Sequence, residues 1–582
     1  MTSGETGGVF WKLMLPDEAA TIRIAEQMAA ELRPGDLVTL SGDLGAGKTT
    51  FARAMIRAMT RMPALDVPSP TYTLMQTYDA PEFRIVHADL YRVADPSELV
   101  ELGWEDAAEN AIVLCEWAEK AGDILASDRL DARFDIPPDG NGRLLTLEGH
   151  GRLAARLGRA RAIQSLFERG GFVEPDRQFM MGDASVRAYE RITDPRSGRK
   201  AILMISPPRP DGPPIRLGKS YSTLVHLAET VHAFVAVARG LREIGLSAPE
   251  IYASDLDAGL LLIEDLGPLG VVDDNGPIPE RYGLAIDVLA ELHARVLPTE
   301  LPVEGVITHK LHRYDLEALT IEAELLLDWF FPYSTRRTPN AGVRLAFVDG
   351  WVSTLDPVLS GEKTWTLRDY HSPNLIWMPE REGLRGMGLI DFQDCVVGHP
   401  AYDVASLLQD ARVTVPEELE LQLLARYARQ RRARDPDFDM QAFVAAYAIL
   451  GAQRATKILG IFVRLDRRDG KPAYLRHIPR IEAYLRRCLA HPALAKLRTW
   501  YETNLPGFAP QPATDTSHDD SPRATEQPQP DEHAGHVGQA GHGRQAGYGD
   551  GAGRGAGHAH APADSDNPEA AGEGRRQDPA GS

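Results

Sequence analysis

The chain has 582 residues, 43% of them hydrophobic, and a formal net charge of −20. That length exceeds what one hydrophobic core supports, so two or three domains are expected, and the acidic balance argues against a broad nucleic-acid-binding surface. Three scattered cysteines (Cys115, Cys395 and Cys488) lack metal-ligand spacing, so neither a disulfide framework nor a zinc site is expected.

The opening stretch MTSGETGGVFWKLMLPDEAA has no basic head followed by an apolar run, so it does not read as a secretory signal. No eighteen apolar residues run together, so no membrane span is expected and the reading is cytoplasmic. Residues 1–150 alternate short apolar strands (DLVTLSG, AIVLCEW) with a helical pattern in FARAMIRAMTRM, where Phe51, Ala54, Met55, Ala58 and Met59 recur at helical spacing. This predicts an α/β domain with a mainly parallel sheet, closed by a hairpin turning at Gly140–Gly142. Residues 151–165 read as a linker helix. Residues 166–503 open with strands (RAYERITD, KAILMIS, LLLIEDLG) and become helical, which predicts a bilobal α+β domain. Residues 504–582 collapse into Pro, Gly, His, Asp and Ala and cannot bury enough surface to order themselves.

Within the first domain, Gly42 to Thr49 spells G-x-x-x-x-G-K-T between a predicted strand and a predicted helix. Gly42, Gly45 and Gly47 allow backbone amides to turn inward around a phosphate, with the helix N-terminus adding partial positive charge. Lys48 reaches the β- and γ-phosphates of a nucleotide, and Thr49 offers a hydroxyl to Mg²⁺, with Thr50 beside it. Asp89 and Glu116 each end an apolar strand, where carboxylates serve a metal or its water. Trp117 reads either as a stacking surface or as core, and PSPTYTL either as a γ-phosphate-sensing switch or as an ordinary Pro-rich turn.

In this order, GDLGAGKTT, SPTYTL, HADLYR, ELGWEDA and LCEWAEK resemble the bacterial TsaE-type ATPase, over roughly residues 10–150. The resemblance implies ATP hydrolysis in support of a tRNA threonylcarbamoyltransferase complex with TsaB- and TsaD-type subunits. It assigns Lys48 and Thr49 to phosphate and Mg²⁺, Glu116 and Asp89 to metal and catalysis, Thr71 to the switch segment, and Trp117 to the nucleotide's neighbourhood. A generic nucleotide switch is the alternative.

In the second domain, LRDYHSPNLIW sets Asp369 five residues before Asn374, and Asp391 in LIDFQD lies seventeen residues further on. One carboxylate to orient an acceptor hydroxyl, with an amide and a second carboxylate to hold Mg²⁺, is what phosphoryl transfer requires. His371 reads as a brace for the loop. GDASVRAYERI (Gly182–Ile192) reads as a phosphate-covering loop or a plain hairpin, and LLLIEDLG as a hinge facing adenine or a buried strand.

These pieces, with IDFQDCVVGHPAYDV and RLDRRDGKPAYLRHIPRIEAYL, resemble the aminoglycoside phosphotransferase and choline-kinase superfamily over about residues 160–500. The subgroup they resemble is the N-acetylmuramate and N-acetylglucosamine 1-kinases, which implies an amino-sugar substrate, ATP and Mg²⁺, Asp369 as base, and Asn374 and Asp391 as metal ligands. One departure stands out: KAILMISPP has Met204 near the usual strand lysine, and Lys200 only at its start. An aminoglycoside or choline-type kinase, or a non-catalytic scaffold, remains open. The basic runs RYARQRRARD and RLDRRDGK read as solvated helix faces, the second bordering the kinase cleft. Six tail histidines among glycines read as chance members of a flexible extension.

Overall fold

The computed structural model describes residues 9–101, 103–122, 125–180, 187–208 and 211–509. The tail and its histidines, and Gly182–Val186 of the proposed phosphate-covering loop, lie outside the described residues. The chain begins with β1 (Val9–Leu15), α1 (Glu18–Glu31), β2 (Leu37–Gly42) and α2 (Lys48–Thr60). Next come β3 (Met75–Asp79), β4 (Arg84–Asp89), α3 (Ser97–Glu101), α4 (Trp104–Ala108), β5 (Ala111–Glu116), β6 (Arg129–Asp135) and β7 (Arg143–Gly149). One seven-stranded sheet results, ordered β1-β7-β6-β2-β5-β4-β3.

The expectation of a mainly parallel sheet needs correcting. Only the central run β6-β2-β5-β4 is parallel; beyond the expected β6-β7 hairpin, β1-β7 and β3-β4 also pair antiparallel. The cause is connection length: short turns join β3 to β4 and β6 to β7, whereas parallel neighbours need a crossover of a dozen residues or so. The parallel centre reads as unbroken apolar sequence because both its faces are covered. On one face lie Phe51 and Met55 of α2 with Phe134, and on the other Leu99 and Trp104 with Val86 and Val113. β2, β4 and β5 therefore deliver Gly42, Asp89 and Glu116 to the same carboxyl edge, the edge at which open α/β sheets bind ligands.

The helix α5 (Arg152–Arg169) outruns the predicted linker and is no passive spacer. Its first turns bury Leu153, Leu157 and Ala160 in the core of the seven-stranded sheet, and its last turns bury Ile163, Leu166 and Phe167 under the next sheet. That sheet has five antiparallel strands: β8 (Asp176–Met180), β9 (Ala188–Thr193), β10 (Lys200–Ile205), and the strands Ile251–Asp255 and Leu260–Glu264. Its opposite face, with Met204, Leu261 and Ile263, joins the core of a large helical lobe.

In that lobe two small ladders clamp the candidate loops. Thr364–Thr366 pairs with Val396–Gly398, and Leu375–Trp377 with Met387–Leu389. Asp369 and Asn374 lie between the first members of each pair, and Asp391 between the second members, so the pairing itself draws the three together. The 30-residue helix Met440–Asp469 forms a wall of the lobe and crosses the helix Leu316–Leu325 at Gly460. The run RYARQRRARD departs from a solvated face: Arg431 is buried, paired with Glu362, and set over the Tyr427 and Phe438 rings. Among the described residues no helix is long and apolar enough to cross a membrane.

A Cβ at Gly460 would stand 2.4 Å from the Leu325 carbonyl carbon. Gly460→Ala is expected to lower stability by about 1–3 kcal/mol through overpacking at the crossing. The check is the thermal unfolding midpoint of the full chain; an unchanged midpoint would show that the two helices can part without cost.

Candidate active sites

At the edge of the first sheet, the loop from Gly42 to Gly47 carries positive φ at Gly42, Gly45 and Gly47. Gly42 (φ 130°) admits no side chain, because a Cβ would sit 2.3 Å from the Phe134 carbonyl oxygen. Lys48 opens α2 and folds back to donate its Nζ to Gly42 O at 2.8 Å and Asp43 O at 3.0 Å. The Trp117 ring lies 4.0 Å from that Nζ, so half-buried Trp117 both packs against the core and forms a cation–π lid on the lysine. Burial pulls the Lys48 pKa below its ordinary value, opposed by Glu116 and Asp89.

Thr49 Oγ1 donates to Glu116 Oε2 at 2.9 Å, and the other Glu116 oxygen lies 3.0 Å from His87 Nε2. Asp89, the cross-strand neighbour of Glu116, accepts from Ser69 Oγ at 2.6 Å, Thr71 Oγ1 at 2.8 Å and the Tyr91 amide at 3.0 Å. The PSPTYTL segment is thus tied to a sheet-end carboxylate through two hydroxyls. Thr50 sits half-buried in the first turn of α2, outside this cluster. A hydroxyl and two carboxylates beside an amide-lined loop suit a hard cation and a polyphosphate.

The second site lies in a cleft of about 720 Å³ between the five-stranded sheet and the helical lobe. Asp369, His371, Asn374 and Asp391 line it, with Ile202, Ile263 and the hinge Glu264–Gly267 on the sheet side. Asn374 Nδ2 donates to the Asp369 carbonyl at 2.9 Å and lies 3.4 Å from Asp391 Oδ2, which leaves Oδ1 as the amide's oxygen ligand. Asp391 Oδ1 accepts from Gln393 at 2.9 Å and Arg187 at 3.3 Å. Desolvation would raise the Asp369 pKa, but His371, Lys457, Arg368 and Arg454 outweigh it and hold the carboxyl below its usual range. Asp391 goes the other way, lifted by burial and by the charge of Asp369. Two oxygens from one amide and one carboxylate, with a second carboxylate alongside, again suit a magnesium ion.

Family models match both regions: threonylcarbamoyl adenosine biosynthesis protein TsaE over residues 15–143, and the phosphotransferase enzyme family over residues 177–438. An N-acetylmuramate/N-acetylglucosamine kinase of Caulobacter vibrioides is 40% identical over 367 residues, 60% of this chain and 97% of that protein. One from Pseudomonas putida is 30% identical over 330 residues, 54% of this chain and 84% of that protein. A tRNA threonylcarbamoyladenosine biosynthesis protein TsaE of Rickettsia felis is 38% identical over 135 residues, 23% of this chain and 78% of that protein. The chain belongs to both families, TsaE in its first domain and N-acetylmuramate/N-acetylglucosamine kinase in its second. It is an enzyme that joins a TsaE-family ATPase domain to a kinase-fold phosphotransferase.

Several residues of the two sites escape sequence reading. In the TsaE-family domain Arg143 reaches from β7 to the Ala46 and Gly45 carbonyls at 3.2 and 3.3 Å, roughly a hundred residues along the chain. His87 stands inside HADLYR but gives no local sign that it will hold Glu116. In the kinase-family domain the strand lysine is absent in space as well as in sequence: Met204 is buried in the lobe core and Ile202 faces the cleft. Among the described residues a cation on that face is Arg191, directly across from Ile202 and paired with Asp265 at 3.0 Å. Beneath the loop, Asp403 accepts from the Leu367 and Arg368 amides at 2.7 and 2.9 Å, and Asp410 from the Ser372 amide at 2.8 Å. Buried Glu322 receives Arg368 at 2.5 Å and Lys457 at 2.7 Å.

Removing Glu322 would strand buried Arg368 and half-buried Lys457. Glu322→Ala is expected to cost about 3–5 kcal/mol, read as a lower denaturation midpoint for the kinase-family domain. The cationic partners hold the Glu322 carboxyl below its ordinary pKa. Its contribution is therefore full above the ordinary glutamate pKa and is lost as pH falls through the lowered value, so parent and variant should converge in acid. A gap that persists unchanged in acid would show that the charge on Glu322 plays no part.

Proposed function

We propose a bifunctional cytoplasmic enzyme. Its first domain hydrolyses ATP in support of tRNA N6-threonylcarbamoyladenosine synthesis, working with a threonylcarbamoyltransferase complex of TsaB- and TsaD-type subunits. Its second phosphorylates the anomeric hydroxyl of an N-acetylated amino sugar such as N-acetylmuramate or N-acetylglucosamine. The observation that carries the second reading is the convergence of Asp369, Asn374 and Asp391 on one cleft, in a chain spanning nearly the whole of a kinase with that specificity.

In the kinase-family domain, Asp369 accepts the proton of the acceptor hydroxyl as its oxygen bonds to the γ-phosphorus and ADP departs. Held below the usual carboxylate range, Asp369 stays ionised and orients the hydroxyl by a charge-assisted hydrogen bond. Asn374 and Asp391 would hold Mg²⁺, which would supply charge neutralisation to the transferring phosphoryl group. Arg191 takes the phosphate-facing place of the strand lysine, with Asp265 aiming it.

In the TsaE-family domain, the amides after Gly42 cradle the β-phosphate of ATP and Lys48 exchanges its carbonyl partners for phosphate oxygens. Thr49 would hold Mg²⁺, which would supply charge neutralisation to the triphosphate, and Glu116, braced by His87, orients the attacking water. Thr71, held by Asp89, reports the γ-phosphate to the switch segment, and Trp117 keeps water from the lysine.

Two expectations test this. The full chain with MgATP should convert both amino sugars, offered in parallel with an aminoglycoside, to sugar 1-phosphates, and Asp369→Asn should lower kcat by about 10²–10⁴-fold. Transfer to the aminoglycoside alone would overturn the amino-sugar reading. Glu116→Gln should slow the sugar-independent ATP hydrolysis by about 10²-fold or more while nucleotide affinity is retained. Unaltered hydrolysis would remove Glu116 from the mechanism.

A further inference from the structure

We propose that the carboxyl-terminal half of the helix Met440–Asp469 forms a carboxylate-binding subsite for the acceptor, with Arg464 as its selecting residue. The proposal rests on the amino-sugar reading and adds to it a preference for acceptors that carry an acid arm.

Arg454, Lys457, Ile461, Arg464 and Arg468 all line the cleft. Their spacing of three, four, three and four residues puts them on one stripe of the helix. Most of these cations are already engaged. Lys457 is bound to Glu322 at 2.7 Å, Arg454 donates to the Gln409 carbonyl at 3.3 Å, and Arg468 pairs with Asp469 at 2.7 Å. Arg464 makes no ion pair among the described residues, and its buried Nε has no hydrogen-bond partner. Its guanidinium lies 5.5 Å from the centre of the Tyr221 ring. Burial and the neighbouring Arg468 pull its pKa below the ordinary arginine value, opposed by Asp469 and by Tyr221, whose side chain is its hydrogen-bonding neighbour. A desolvated guanidinium stays charged and is costly unless an anion meets it.

The place of that anion follows from the cleft's two ends. The sheet side, with the hinge Glu264–Gly267, takes the nucleotide, so the end walled by the long helix takes the acceptor. Lys457 already acts on the charge of Asp369. Arg464 lies seven residues further along, ~10 Å at the helical rise, which is the reach of a hexose with a three-carbon acid arm. N-acetylmuramate and N-acetylglucosamine differ by such an arm, the lactyl ether carboxylate. The planar fork of arginine matches a carboxylate in two parallel hydrogen bonds.

The test is steady-state kinetics of the full chain on both sugars, with Arg464→Gln and Arg464→Lys. In Arg464→Gln the ratio of kcat/KM for the acidic over the neutral sugar should fall about 10-fold or more, mainly through KM, with partial recovery in Arg464→Lys. For the unsubstituted chain, KM for the acidic sugar should rise with ionic strength more steeply than KM for the neutral one. An unchanged ratio in both variants, or an effect confined to KM for ATP, would overturn the proposal. If the variants do not fold, equal salt dependence for the two sugars would overturn it. Failure of the unsubstituted chain to phosphorylate either sugar would instead overturn the amino-sugar reading on which it rests.

Discussion

Fully buried Glu322 binds three separate pieces of the kinase-family domain through one carboxylate. It stands on the helix Leu316–Leu325, accepts from Arg368 of the loop that carries Asp369, and accepts from Lys457 of the long helix. Tyr314 and Gln453 fill its remaining acceptor capacity. A carboxylate without solvent is tolerable only when its charge and lone pairs are all met, so these elements cannot move independently. The same cations help hold the Asp369 carboxyl ionised, which makes the structural network and the electrostatics of that carboxyl one arrangement.

The TsaE-family domain uses the same device on a smaller scale. Glu116 is buried at the end of β5, with Thr49 on one oxygen and His87 on the other. Both domains also store backbone strain beside these carboxylates. Trp117, directly after Glu116, has φ 58°, Arg368, directly before Asp369, has φ 66°, and Asp391 itself has φ 58°. Non-glycine residues in the left-handed region cost roughly 1–3 kcal/mol each and persist where surrounding contacts fix them. Here those contacts are the amide bonds to Asp403, the stacking of Lys48 on Trp117, and the paired ladders on either side of Asp391.

What the sequence discloses and what it hides divides along contact range. Gly42 to Thr49 is legible because its chemistry is contiguous: strand, loop and helix N-terminus occupy one short segment. Asp369, Asn374 and Asp391 are legible because their spacing reflects two loops joined by a single ladder. Arg143, Glu322 and Asp403 are not, since they meet their partners across 35 to 135 residues with no periodic sign. Arg191 becomes visible only through cross-strand register with Ile202. The β6–β7 hairpin is legible from its glycine turn, but the antiparallel pairing of β1 with β7 and of β3 with β4 is not, because apolar strands look alike whichever way they pair. Arg431 escaped because a basic run does not disclose which of its members turns inward to Glu362.

The helix α5 gives both domains a shared rigid edge, with Leu157 in one core and Leu166 in the other. A shared edge fixes distance without demanding that the two nucleotide sites influence one another. The central claim is that the chain holds two separate magnesium–triphosphate sites, one built mainly from backbone amides and one from side-chain oxygens. Equilibrium binding of a non-hydrolysable ATP analogue in the presence of magnesium tests this most directly. The account predicts two sites per chain, one abolished by Lys48→Ala and the other by Asp391→Ala. A single site, or loss of all binding on either substitution alone, would contradict it.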